Sequence, residues 1–368
     1  MLALYFFLAT LVSYVAAQSN AETSCNPLKT TCPPDPALST EHTFWFNETL
    51  DDTLWNMTSG SLDYTSEGAT FTLNEEGDSL LLMSNFYIFF GVMEVHAKMA
   101  KGAGIISGVI LESDDLDEID WEWVGYNTSG VQSDFFGKGN TTTWNRGGQH
   151  NAPNADIEFH NYTTYWDQYK LQWWVDGDMV RQVNYDDPLA VYGKNYPQTP
   201  CRVKASLWPS GSTGQSEGTI KWGGGMVDWS QAPFSMTIQR IRVEDFHTGK
   251  EYQYDGNSGS FNSIDVIGGN STAQERIDNP PESLSEKWDN LPEGAHIGVY
   301  CGAAAAGALI IVALGLYCVK QRRRGRLEHA LDDARYNTER NEMQNYQSDW
   351  KQTEWNSTSY RNNGYQAM

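Results

Sequence analysis

Asp117-Glu118-Ile119-Asp120-Trp121-Glu122-Trp123 is the stretch from which the fold is read. Glu118, Asp120 and Glu122 are spaced by two, and side chains on a β-strand alternate between its faces. On a strand the three carboxyl groups therefore point into one patch of space. Ile119, Trp121 and Trp123 point the other way, into apolar packing. Crowded acids cannot all ionise cheaply. A strand that gathers them while packing bulky side chains behind them is suited to proton chemistry.

Outward from this stretch, residues 35–267 read as short strands separated by turns. Leu80–Ser84 is apolar, Met93, Val95, Ala97 and Met99 alternate within Val92–Met99, and Gly104–Leu111 leads into the acids. Tyr169 to Val175 alternates, Asp176-Gly177-Asp178 turns the chain, and Met179–Val183 returns, which is a hairpin signature. Arg202–Trp208, Gly218–Trp222 and Met236–Asp245 read as further strands. With no sustained helical period, the expectation is an all-β antiparallel sandwich or jelly roll.

The ends of the chain read differently. Residues 1–17 are apolar from Leu2 to Val15 and end in Val15-Ala16-Ala17, the form of a signal peptide. Ile297–Val319 is 23 residues without a formal charge, the length of a bilayer span, which needs roughly 20. Lys320, Arg322, Arg323, Arg324 and Arg326 follow at once, placing the C-terminal side in the cytoplasm. The expected organisation is a signal peptide (1–17), an external catalytic domain (18–270), a linker (271–296) containing Pro280, Pro281 and Pro292, a transmembrane helix (297–319) and a disordered cytoplasmic tail (320–368). This is the organisation expected of a type I single-pass protein of the plasma membrane.

The tail holds 9 of the 25 bases and only 7 of the 47 acids, so the external portion is more acidic than the whole chain at −22. That argues against nucleic acid or an anionic surface as partner, and suits a neutral polysaccharide. Asn47, Asn56, Asn127, Asn140, Asn161 and Asn270 open N-x-Ser/Thr glycosylation sequons in the external part. Cys25 and Cys32, outside the cell and close in sequence, are expected to form a disulfide. Cys201 is expected to be a buried free thiol.

Two carboxyl groups about 5–5.5 Å apart are the equipment of a retaining glycosidase. On an extended strand the Cα atoms of Glu118 and Glu122 lie roughly 13 Å apart, so their side chains must lean together. Asp120, between them, can hydrogen-bond one Glu and share a proton. One Glu would be the ionised nucleophile and the other the general acid and base. Solvated surface is a second reading of acidic runs, and fits Asp114, Asp115 and Asp117. A calcium site is a third. The apolar alternate face, with Trp121 and Trp123, favours catalysis.

Leu111 to Trp123 resembles the active-site strand of glycoside hydrolase family 16 and, more narrowly, that of the fungal Crh cell-wall transglycosylases. Cys25 to Cys32, Gly91-Val-Met-Glu-Val95, Asn145-Arg-Gly-Gly148, Phe159-His-Asn-Tyr-Thr163 and Lys204 to Trp208 extend the resemblance over most of residues 20–267. It implies a concanavalin-like jelly roll of two curved sheets with a substrate cleft on the concave face. It implies Glu118 as nucleophile, Asp120 as assisting acid and Glu122 as general acid/base that also meets substrate, with no cofactor and no metal. The implied reaction is double displacement with retention: chitin is cleaved and passed to β-glucan or to chitin, with water as a competing acceptor. Lys204, Trp208 and Thr219 are implied sugar contacts. Lys204, Ser206 and Trp208 share one strand face, and Arg146 is a further candidate for substrate hydroxyls. Trp222, opposite in parity to Thr219 on a strand, reads as core. Two other readings remain open, a hydrolytic endo-glycanase and a non-catalytic glycan-binding receptor. Many relatives end in a lipid-anchor signal, whereas here basic charge follows the apolar run, so a true span is expected.

Overall fold

A computed structural model describes residues 25–142, 145–280 and 284–359. The expected signal peptide and the last residues of the tail lie outside the described residues. The chain forms two compact units, Met1–Pro281 and Glu282–Met368.

In chain order the described strands of the first unit are β1 (Asp35–Pro36), β2 (Glu41–Trp45), β3 (Trp55–Ser59), β4 (Asp63–Thr65), β5 (Gly68–Leu73), β6 (Leu80–Ile88), β7 (Gly91–Lys98), β8 (Ile105–Ser113), β9 (Glu118–Val124), β10 (Gly130–Phe136), β11 (Gly148–Asn151), β12 (His160–Trp166), β13 (Lys170–Val175), β14 (Asp178–Asn184), β15 (Cys201–Pro209), β16 (Phe234–Asp245), β17 (Glu251–Tyr254) and β18 (Ile264–Ile267). One sheet runs β11-β10-β9-β8-β15-β6-β3. The other runs β14-β13-β12-β7-β16-β5-β4, with β2 also paired to β16. A small third sheet is β1-β17-β18. The ladders are antiparallel, and the architecture is the expected jelly-roll sandwich.

Period-two alternation builds the core between the two large sheets. Met93, Val95 and Ala97 on β7 meet Ile119, Trp121 and Trp123 on β9, and Val203, Ala205 and Leu207 on β15, in one buried cluster. Tyr162 of β12 packs edge-on against Trp123 with ring centroids 4.7 Å apart, and lies 5.6 Å from Trp121. Such aromatic pairs contribute about 0.5–1.5 kcal/mol beyond the area they bury. The β13–β14 hairpin turns at Asp176 and Gly177, both at positive φ, as the Asp-Gly pair foretold. Cys25 and Cys32 are disulfide-bonded, and Cys201 is a free buried thiol.

Several local readings of the sequence are corrected. Gly218–Trp222 is not a strand but lies in a short helix, α1 (Glu217–Trp222), capped by Ser216, whose side chain accepts from the Thr219 N–H. Asp115 and Asp117 are not solvated: both are wholly buried in the β8–β9 turn, where Leu116 adopts a left-handed φ of 68°. The Ser113 hydroxyl donates to Asp115 at 2.6 Å and the Gln198 N–H to Asp117 at 2.7 Å, while the Thr199 hydroxyl lies between the two carboxyl groups, 2.6 Å from Asp115 and 2.8 Å from Asp117. Part of the expected linker belongs to the first unit. There α2 (Thr272–Asp278) is capped by Ser271, buries Ala273, and pairs Arg276 with Asp51 at 2.5 Å.

The second unit contains α3 (Leu284–Asp289) and α4 (Glu293–Ser359). α4 includes the apolar run and is long and apolar enough to cross a membrane. It also continues through residues expected to lack regular structure. From Arg326 to Ser359 the sequence contains no Pro or Gly and is rich in strong helix formers, which accounts for the continuation.

The first unit buries carboxyl groups away from water, which favours their neutral form. Burial and Asp114 push Asp35 up to about 8, burial and Asp117 push Asp115 up to about 7, and burial pushes Asp245 up to about 7. Asp51 and Asp176 are shifted the other way: burial opposes the shift, but Arg276 and His160 outweigh it. The contribution of that second pair is complete above the ordinary carboxylate range. Between about pH 5 and pH 8 the folded chain therefore keeps protons that the unfolded chain has released, and stability falls as pH rises. Thermal unfolding should show a Tm several degrees higher at about pH 5 than at about pH 8; an equal or lower Tm at the acid end would contradict this ledger of buried acids.

Candidate active site

The acids sit where strand parity puts them, on the face of β9 turned away from the core. Pairing with β8 sets Glu118 opposite Glu112, Asp120 opposite Ile110, Glu122 opposite Gly108 and Val124 opposite Ile106. Pairing with β10 sets Glu118 opposite Phe136, Asp120 opposite Asp134 and Glu122 opposite Gln132. On the far side of β8, Arg202, Lys204, Ser206 and Trp208 of β15 continue the same rows. This outward face is itself largely shielded: Ile106, Ile110, Glu112, Asp120, Ser206 and Trp208 are all buried. A sheet face bare to bulk water would not bury such a set, so the acids lie in a recess.

The backbone under the acids is fixed from behind. The Trp173 indole N–H of β13 donates to the Asp120 carbonyl at 3.1 Å across the sandwich. The carboxyl groups of Glu118 and Asp120 are hydrogen-bonded to each other. Burial, then repulsion from Glu118 and Glu122, raises Asp120 well above the ordinary carboxylate value. Burial, then Glu112, pushes Glu118 up to about 8, while the Asp120 hydrogen bond and Lys204 work in the opposite direction. Asp120, the more buried of the two and repelled by both neighbouring acids, keeps a proton and presents it to Glu118, so Glu118 is the first of the two to ionise.

Glu112 is a residue that the sequence reading did not single out. It is ion-paired with Lys204, and it repels Glu118 more strongly than Glu122 does. Lys204, whose backbone pairs in the row of Ile110 and Asp120, is thus drawn toward the row of Glu112 and Glu118 rather than swinging free.

The Glu122 end of the face is aromatic. Trp208 and Trp222 stand 6.2 Å apart at 31°, packed with Ile106 and Val124. The Trp222 indole N–H donates to the Gln132 side-chain oxygen at 2.9 Å, and Gln132 lies directly opposite Glu122. Parity had assigned Trp222 to the core. Because α1 is helical, Thr219 and Trp222 are three apart on one helix face, and Trp222 joins the site. Thr219 itself is half-buried, its hydroxyl 2.8 Å from that of Ser216. Gly108 leaves the floor beside Glu122 open, since a Cβ there would come within 3.0 Å of the Ser206 hydroxyl.

Arg146 stands at the Phe136 end of this face, but its donors are turned to backbone rather than open to a ligand. It is 1% exposed; its guanidinium donates to the carbonyls of Phe135 at 3.0 Å and Asn140 at 2.6 Å, and lies 4.8 Å over the Phe136 ring. It anchors the connection between β10 and β11.

Residues 49–224 match the family model described as glycosyl hydrolases family 16. The chain is 58% identical to Crh-like protein 3 of Aspergillus fumigatus, over 97% of this chain and 98% of that one. It is 47% identical to Crh-like protein 2 of Botryotinia fuckeliana, over 87% of this chain and 72% of that one. Among solved structures it is similar to apo Crh5 transglycosylase, with 39% identity, a TM-score of 0.63, and coverage of 66% of this chain and 100% of that one. The same transglycosylase in complex with NAG gives 40% identity, a TM-score of 0.64, and coverage of 66% and 99%.

Replacing Arg146 with Ala strands two carbonyls that it now satisfies, at a cost of roughly 2–4 kcal/mol. The expected result is a lowered Tm with an unchanged KM in the protein that remains folded. A raised KM at wild-type Tm would instead return Arg146 to the substrate.

Proposed function

The chain belongs to the Crh-like proteins of glycosyl hydrolases family 16 and is a glycosyl-transferring enzyme, and we propose that it cleaves chitin and transfers the cut chain to β-glucan in the cell wall. The observation that carries the reading is the buried Glu118–Asp120 hydrogen bond beside Glu122 on one strand face. Similarity to a transglycosylase solved with NAG supports a sugar chain as occupant of that face.

In this reading Glu118, ionised, attacks the anomeric carbon of the donor sugar. Glu122 gives its proton to the departing glycosidic oxygen, and a glycosyl ester on Glu118 results. Glu122, now a carboxylate, takes the proton of an acceptor hydroxyl. That oxygen attacks the same carbon and Glu118 is released, so two inversions give retention. Asp120 stays protonated and donates to Glu118 throughout, stabilising its charge before attack and after release. Lys204, Trp208 and Thr219 are the proposed sugar contacts; Trp222, locked by Gln132, completes the aromatic wall on which a pyranose face can lie. A receptor without turnover would have no use for a buried proton shared between two acids, which disfavours the binding-only alternative.

We place the catalytic unit outside the cell and α4 across the plasma membrane as a type I span. The apolar length of α4 and the basic residues Lys320 to Arg326 behind it support this placement. The sequons at Asn47, Asn56, Asn127, Asn140, Asn161 and Asn270 are then on the glycosylated side.

Glu118→Gln should abolish transfer of chitin oligosaccharides to a labelled glucan while leaving the Tm near wild type. Wild-type-like transfer by the variant would remove Glu118 from its role. Products that are only shortened, with acceptor present, would make the enzyme a hydrolase. The pH profile gives a second test. Attack needs ionised Glu118 and protonated Glu122, so kcat/KM should have an ascending limb, set by Glu118 and lying above the ordinary carboxylate range, and a descending limb as Glu122 loses its proton. Glu112→Gln removes a repelling charge and frees Lys204 to favour ionised Glu118, so the ascending limb should move to lower pH. A limb that stays or moves up would contradict the assignment.

A further inference from the structure

One sequon lies on the same face as the acids. Asn56 of β3 pairs with Met83 of β6, Met83 with Lys204 of β15, Lys204 with Ile110 of β8, and Ile110 with Asp120 of β9. Trp55, its neighbour, is buried in the core, so Asn56 points to the opposite side, the side of the acids, and is exposed. Thr58, the third residue of the sequon, is exposed too, its hydroxyl donating to the Leu81 carbonyl at 3.1 Å. β3 is the edge strand of this sheet. Four strand spacings of about 4.8 Å put Asn56 ~19 Å from Asp120 along a line perpendicular to the strands. That is the span of a short run of pyranose rings. The line passes over Lys204, one of the proposed sugar contacts.

We propose that Asn56 carries an N-linked glycan that closes the β3 end of the glycan-binding face, so that the enzyme favours donors with few units on that side over long chains. This rests on the proposed reading of the face as a sugar site and adds a limit on substrate length. In the modifying step the Asn56 amide nitrogen bonds to the anomeric carbon of a lipid-pyrophosphate-linked oligosaccharide. The amide gives up a proton and the lipid pyrophosphate leaves. The attached glycan is bulky and hydrated, and a long chain following the row of Asp120, Lys204 and Met83 would run into it at the edge.

The test uses the full-length chain made in a glycosylating fungal host. Peptide mass analysis reads Asn56, and transfer to a labelled glucan is compared for a short chitin oligosaccharide and for polymeric chitin. The wild type should carry a glycan on Asn56. In both Asn56→Gln and Thr58→Ala the rate on polymer relative to oligosaccharide should rise several-fold, while Thr58→Ser, which keeps the sequon, should behave as wild type. An unmodified Asn56, an unchanged or lower ratio, or an effect in Asn56→Gln that Thr58→Ala does not share overturns the proposal. Turnover with an unchanged ratio leaves the proposed reaction standing; no turnover by any of the four proteins overturns both.

Discussion

Three carboxyl groups on one face of one strand cannot all be ionised in a recess shielded from water. β9 imposes that condition through parity alone, because Ile119, Trp121 and Trp123 are committed to the core and leave the acids no other direction. The sandwich strengthens the commitment: Tyr162 meets both tryptophans, and Trp173 grips the Asp120 carbonyl from the opposite sheet. A shift of register by one residue would bury three carboxylates among aromatic rings and expose two indoles, so the fold and the acid arrangement are one choice. The chemical consequence is a division of labour. The most buried acid, Asp120, holds a proton, and Glu118 at its side becomes the group that ionises.

The rows across the sheet give the two ends of the face different characters. Toward Glu118 lie Glu112, Lys204 and Arg202, a charged set in which Lys204 both pairs with Glu112 and tempers Glu118. Toward Glu122 lie Trp208, Trp222, Ile106 and Val124, an apolar wall tied down by the hydrogen bond from Trp222 to Gln132. A sugar chain has apolar ring faces and polar rims, and a face built in this way can hold both. α1 is what brings Trp222 over the sheet, so a six-residue helix completes the wall.

Much of this was legible because it depends on local period: the acids on β9, the Lys204–Ser206–Trp208 face, the alternating strands and the Asp-Gly hairpin. What escaped depends on pairing between distant segments or on very short elements. Glu112 matters only because β8 lies between β9 and β15, and nothing in its own neighbourhood announces that. Asp115 and Asp117 read as surface because their partners, Gln198 and Thr199, are more than eighty residues away. Arg146 read as a ligand contact because its receiving carbonyls, eleven and six positions back, belong to a strand end and an irregular connection whose path no period describes. α1 misled parity, although Ser216 was a capping signal. α2 was also announced, by Ser271 with Gln274 three residues on, but a helix of seven residues is easily lost among prolines. The helical continuation of α4 from Arg326 on was signalled by the lack of Pro and Gly there, which the low hydrophobicity of the tail obscured.

The central claim is that Glu118, beside a protonated Asp120, becomes the carbon-bearing carboxyl during transfer. The most direct measurement is peptide mass analysis of a Glu122→Gln variant, slowed in its second step, after reaction with an activated chitin oligosaccharide whose leaving group needs no acid. The account predicts a glycosyl adduct on the peptide containing residues 117–123, with fragmentation placing it on Glu118. An adduct on another carboxyl group, or release of product with inverted anomeric configuration and no adduct, would contradict it.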